Sequence, residues 1–529
     1  MKLINQHTKK IMEGCKERAQ DVGLKFDQES LEYIVTNSDL IELQPKIMIP
    51  TMYDFWVNDI EIIQGKEKYK VFPHNPYETV INSRPAISFY NDNNPDWLNV
   101  MIFYHVLAHI DFFQNNQLFS NTWNEDFVGK ALADKRQIAF LRSKHGRWVD
   151  YIIEFSRSID NLVGFFSVLH DKIAPPIGAD MAGYYFNIFC QQKLKLNEHI
   201  VFKQIERYNK LISNNPQVGK VLFFNDIIKK HPEFELEFKR HIEHNKSNKS
   251  DVVEFIRDHS PFLKKEENKW MRTIINIIRE SSIYFSPQIR TKIINEGWAS
   301  FWHDKLFRMD DRIKGNEIQY AKINASVTSI NRVGLNPYAI GLRLIQEVEE
   351  LGNKGMLNYD FEKITNIDQR NNFNSNQNKG LEAIFHLRKH FSDFTLINAF
   401  VNQDFVSKHQ LMVIGRRQNE EKNTTEYYVK SKKAEDYKTM LLESLYHPPS
   451  ISVDEVKTND KYLYLIHHFE GKQLLKSHIQ STMMGIAFLW GGNVELITQE
   501  IRVNKSDGTK WNKKVIYTYK NKKLTKEEL

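Results

Sequence analysis

Apolar residues recur at helical spacing through most of the chain, and the stretches that break this spacing mark changes of architecture. In residues 1–47 the spacing of Leu24, Leu31, Ile34 and Val35 is helix-like, until Pro45 and Pro50 interrupt it. From Lys70 to Tyr90 (KVFPHNPYETVINSRPAISFY) β-branched and aromatic residues interleave with three prolines, which predicts short strands or extended segments. Three helices follow from Trp97 to about His170, with Asn121 or Asn124 as the cap of the second and Gly146 as the break before the third. Helices joined by polar linkers account for residues 172–262. Between Glu266 and Asp310 two strongly apolar helices are expected, the second with Pro287 at its first position.

The texture changes after the Gly- and Asn-rich stretch from Gly352 to Lys379. From about Phe391 onward the pattern reads strand, strand, helix, strand, strand, helix, strand. The expected architecture is therefore a mainly α-helical N-terminal domain with a few short strands, residues 1–385. A small α+β antiparallel-sheet C-terminal domain with a basic tail, residues 386–529, would follow it.

At 529 residues the chain exceeds the span of one ordinary core, and 41% hydrophobic with 12% aromatic residues is ample material for folded domains. The net charge of +7 is the small difference between 73 basic and 66 acidic residues, too thinly spread to predict a nucleic-acid partner. The Lys-rich segment from Lys505 to Lys526 reads as a solvated, partly disordered end. Cys15 and Cys190 stand far apart, which excludes a disulfide framework and a cysteine-type zinc site. The charged N-terminus has no signal-peptide core, and no run reaches the ~18–20 apolar residues of a membrane span, so the expected location is cytoplasmic.

Candidate chemistry lies on the apolar helices. His105 and His109 in FYHVLAHIDFF are four apart, which puts both imidazoles on one helical face and suits a first-row metal ion. Val106 follows the first histidine where a zincin would carry its glutamate, so the pair is not that motif. Glu296 and His303 in NEGWASFWH are seven apart and nearly eclipsed, and a carboxylate among Ile293, Ile294, Trp298, Phe301 and Trp302 needs a partner or a cation. One carboxylate and three imidazoles would form a single metal site between packed helices. Glu154, in WVDYIIEFSRSID, is either a fifth ligand or base, or a surface carboxylate. Glu78 and Asn82 are read either as a support facing the substrate or as parts of a hairpin. Asn336, Pro337 and Tyr338 read as a helix start, with Asn336 as cap. The chain carries no phosphate-cradling glycine loop, no GxSxG elbow and no Cys-His nucleophile setting.

NPYETVIN, HVLAHIDFFQNN, NEGWASFWH and LNPYAIGLRL, in this order between Asn75 and about Glu350, closely resemble the signature segments of the stage V sporulation protein R (SpoVR) family. The resemblance implies a bacterial protein linked to spore cortex formation and stress response. A serine protein kinase and a von Willebrand factor A-like protein would be its partners. His105, His109, Glu296 and His303 are the matching positions, and Asn324 in YAKINASV stands where relatives place a histidine. Two functions of different class follow. One is a metal-dependent hydrolase or oxidoreductase, with zinc or iron on those four residues and with Glu154 and Glu296 in the chemistry. The other is a non-catalytic regulatory or scaffold protein that works beside the kinase.

Overall fold

The structure is a computed structural model that describes residues 2–27, 29–36, 39, 78–120, 122, 127–164, 181–196, 198–214, 216–247, 250–331, 333–358, 361, 364–419, 424–504 and 510–529. Pro45, Pro50, Asn121 and Asn124 lie outside the described residues. Contacts gather the chain into two compact units: Met1–Asp150 with Ile283–His447, and Tyr151–Ser282 with Pro448–Leu529. They interleave along the sequence. Local periodicity reports what each segment buries and not which distant segment it is buried against.

The first unit carries a four-stranded sheet of β1 (Lys2–Leu3), β2 (Ser30–Val35), β3 (Glu78–Ile81) and β4 (Ala86–Asn91) in the order β1-β2-β4-β3, with β2 and β4 parallel. Helical spacing holds for Gln6–Asp21 but not for Leu31, Ile34 and Val35, which lie on β2. The correction has a tertiary cause, because the ladder that fixes β2 comes from Ala86–Asn91 far along the chain. The extended reading of the Lys70–Tyr90 stretch agrees with β3 and β4, its residues 70–77 lying outside the described residues. Asn82, just past β3, donates from Nδ2 to Thr122 Oγ1 at 2.9 Å and accepts from Tyr284 OH at 2.6 Å on its backbone carbonyl.

Beside the sheet, the Asp96–Asn115 helix is buried at every position from Leu98 to Phe113, the mark of a central helix rather than a surface one. The Lys292–Met309 helix packs against it and is itself buried along most of its length. Pro287, expected to open that helix, instead lies inside the Lys269–Arg290 helix, and the break comes at Thr291. Packing holds the helix past the proline, since Tyr284, one turn earlier, is anchored to Asn82. Asp393 supplies the next helix with a cap from outside: its two carboxylate oxygens accept from Ile293 N and Ile294 N, each at 2.8 Å. β5 (Val413–Asn419) and β6 (Thr424–Ser431) form a separate hairpin.

The second unit contains Trp148–Arg157 from Tyr151 onward and an aromatic helical cluster around Tyr184, Tyr185, Phe189, Phe223, Phe224 and Phe234. It also contains a five-stranded sheet. β7 (Ser450–Val453), β8 (Tyr462–His468), β9 (Asn493–Val503), β10 (Lys510–Lys520) and β11 (Lys523–Glu528) run in the order β11-β10-β9-β8-β7. The sheet is antiparallel except between β8 and β9, which are joined by the Lys476–Trp490 helix and pair in parallel. The Lys-rich end, where described, is therefore the two paired strands Lys510–Lys520 and Lys523–Glu528, residues 505–509 lying outside the described residues. In KWNKKVIYTYK the alternation of Val515, Tyr517 and Tyr519, all buried, outweighs the charge of the flanking Lys513, Lys514 and Lys520. Among the described residues no helix is long and apolar enough to cross a membrane.

Candidate metal centre

Three helices of the first unit build the site. Asp96–Asn115 presents His105 and His109, Lys292–Met309 presents Glu296 and His303, and Pro337–Lys354 presents Tyr338. The last two helices meet backbone to backbone. A Cβ on Gly297 would stand 2.3 Å from the Gly341 carbonyl carbon, and one on Gly341 would stand 2.0 Å from the Ile293 oxygen. Only glycine permits that approach. Asn336 caps the third helix as the sequence indicates, accepting from Tyr338 N at 3.1 Å, and this sets Tyr338 in its first turn.

The side chains converge as the spacing predicts. His105 Nε2 and His109 Nε2 are 3.1 Å apart, and Glu296 Oε2 stands 3.9 and 3.6 Å from them. These three residues form a group whose potential ligand atoms lie within 4.8 Å of one another. Glu296 Oε2 has no hydrogen-bond partner although it is buried, which is costly for a carboxylate oxygen unless a cation or proton meets it. His303 lies one contact further out: its Nδ1 meets His105 Nδ1 at 2.9 Å, and its Nε2 meets Asn324 Oδ1 at 3.0 Å. Asn324, singled out as a departure, thus touches the cluster. Glu154 is exposed on its helix and belongs to the second unit.

Burial dominates the electrostatics. It holds the His105 imidazole well below its ordinary value, with the neighbouring His109 and His303 pushing the same way. Burial also lowers His303, against its bond to the Asn324 oxygen, and raises the Glu296 carboxyl, against the nearby His109 and a hydrogen bond from Tyr338. Every shift disfavours charge in a site that collects nitrogen and oxygen lone pairs.

Sequence reasoning missed three of the residues around this cluster. Asn295 Oδ1 meets His109 Nδ1 at 2.9 Å; Tyr338 bonds Glu296 and stacks near His105 at 6.2 Å between ring centroids; Asp304 supports Asn324 at 3.2 Å. The only signal for Asn295 and Asp304 was adjacency, since each directly neighbours a residue already picked out.

The sequence profile of the "SpoVR like protein" family matches residues 2–447 of the chain, so β7 to β11 lie beyond the match. The chain is 25% identical over 333 residues to the uncharacterized protein YcgB of Escherichia coli K12, an alignment covering 60% of this chain and 59% of that protein. No solved structure matches. The motifs that carried the resemblance fall inside the matched region and supply the three helices of the cluster, and the chain belongs to the SpoVR-like protein family.

Proposed function

We propose that the chain is a metal-dependent enzyme whose divalent ion, zinc or iron, is held by His105, His109 and Glu296. The observation that carries this reading is the meeting of two imidazole nitrogens 3.1 Å apart with a carboxylate oxygen that has no hydrogen-bond partner. Two nitrogens each ~2.0–2.1 Å from a tetrahedral ion stand about 3.3 Å apart, so the spacing fits an ion with little movement. Two histidines and one carboxylate are three protein ligands, the set used by catalytic zinc sites and by non-haem iron oxygenases, and it leaves coordination positions for water and substrate. Bound there, zinc would supply hydrolytic chemistry and iron oxidative chemistry. The protein's part is orientation: Asn295 accepts from His109 Nδ1 and turns Nε2 inward, while Tyr338 holds the Glu296 carboxylate. Cys15 and Cys190 are both free, in keeping with the reducing cytoplasm.

A second reading has one observation in its favour. His105, His109 and His303 are only 5%, 7% and 1% exposed, a depth that suits a closed structural staple. The chain would then be a regulatory or scaffold protein of sporulation or stress response, acting with the serine protein kinase and the von Willebrand factor A-like protein that the family resemblance implies.

Cobalt(II) loading separates the two. On the enzyme reading, the visible absorption bands of the cobalt protein shift when azide is added, because an open position accepts the anion, and the bands are absent from the His105→Ala variant. Bands that azide leaves unchanged favour the closed site and contradict the enzyme.

A further inference from the structure

The direction of the protons through the cluster is fixed from its outer end. Arg308 Nε, Tyr320 OH and Asn324 Nδ2 all meet Asp304 Oδ1, at 2.9, 2.6 and 3.2 Å. A guanidinium can only donate, so that oxygen is an acceptor. The Asn324 amide must therefore turn its NH2 toward Asp304 and its carbonyl toward His303, which makes His303 Nε2 the protonated nitrogen. Burial between an imidazole and an amide, at 1% exposure, favours the uncharged ring of His303, and with its proton on Nε2 that ring has a bare Nδ1 that accepts. His105 Nδ1 then donates, and His105 Nε2 is left without a proton, facing His109 Nε2 and Glu296 Oε2.

We infer that Asp304, Asn324 and His303 are positioning residues which, through three successive hydrogen bonds, fix His105 in the tautomer whose Nε2 is free to bind a cation. His303 on this account serves the site from behind His105 and is not itself a ligand. The relay selects against the opposite tautomer, in which a proton on His105 Nε2 would bond His109 Nε2 and occupy the place of the ion. The purpose of the relay rests on the metal reading, but the tautomer does not.

The test is long-range proton–nitrogen correlation on the metal-free full chain, perdeuterated and labelled with 15N-histidine, with His105→Gln used to identify the His105 signals. The wild type is expected to show His105 with a protonated Nδ1 and a bare Nε2. In Asn324→Leu the acceptor for His303 is gone, and the two His105 nitrogens are expected to exchange character. Zinc affinity should fall about 10–100-fold, as when a ligand's supporting bond is lost. A wild-type His105 protonated on Nε2 overturns the relay, and so does an Asn324→Leu protein with unchanged shifts. Should the wild type bind no zinc, the metal reading fails by itself, and the nitrogen shifts still decide the relay.

Discussion

Asp111, two residues beyond His109, has a side chain with 0% exposure and accepts from Arg388 Nη1 at 2.5 Å, Trp298 Nε1 at 2.9 Å and Lys25 N at 2.7 Å. Arg388 is itself 8% exposed on its side chain and lies over the rings of Trp298 and Phe385. The carboxylate therefore ties the His105–His109 helix to the Glu296 helix and to Gly380–His390. Removing it strands a buried guanidinium, so Asp111→Ala is expected to cost about 3–5 kcal/mol in urea unfolding. At this scale His105, His109, Glu296 and His303 were legible, because helical spacing and an apolar setting belong to the sequence. Asn295, Asp304 and Tyr338 were not, since what defines each is a partner on another helix or at another turn. Tyr338 was hidden by a sound local explanation: Asn336 does cap the helix, and the cap accounts for the motif without the tyrosine. Glu154 shows the reverse case. Val149, Ile152, Ile153 and Ser156 share the buried face of its helix, and position 154 falls outside that stripe.

Among elements, the crossing of Lys292–Met309 with Pro337–Lys354 sets the geometry of the site. Gly297 lies one residue after Glu296, and Gly341 one turn after Tyr338, so the glycine contact fixes the distance between those two side chains. Gly341→Ala would drive a methyl group into the Ile293 carbonyl, where no side chain can move aside. The expected destabilisation is about 1–3 kcal/mol by thermal or urea unfolding, with weakened metal binding at temperatures where the variant stays folded. Strongly periodic helices such as Asp96–Asn115 could be read directly from the chain. Elements fixed by distant partners could not: β2 needs β4, and the helix through Pro287 needs the anchor at Asn82. In β10 the alternation was present in the sequence, but its lysines drew the reading toward a solvated end.

Across the whole molecule, the two interleaved units separate the chemistry. The His105, His109 and Glu296 cluster belongs wholly to the first, and a buried charge cluster marks the sheet of the second. Glu500, 3% exposed on β9, accepts from Tyr517 OH at 2.5 Å and meets Lys526 Nζ at 2.8 Å and Lys476 Nζ at 3.3 Å. Burial alone would raise its carboxyl, but the bonds from Lys526, Tyr517 and Lys476 outweigh it and bring the pKa from 4.5 down to about 2. A lowered carboxyl stabilises fully above its unfolded value, and that contribution is lost as pH falls from 4.5 toward about 2. Glu500→Gln is accordingly expected to flatten the fall in urea midpoint across this window. A slope equal to that of the wild type would show that the cluster contributes nothing to acid stability.

The central claim is that His105, His109 and Glu296 hold one divalent ion, and elemental analysis of untagged protein purified without chelator tests it most directly. The account predicts close to one zinc or iron per chain, absent from a His105→Ala/His109→Ala double variant and identifying by its element which chemistry to assay. Wild-type protein that contains no metal and takes up none after incubation with zinc or with iron(II) would contradict it.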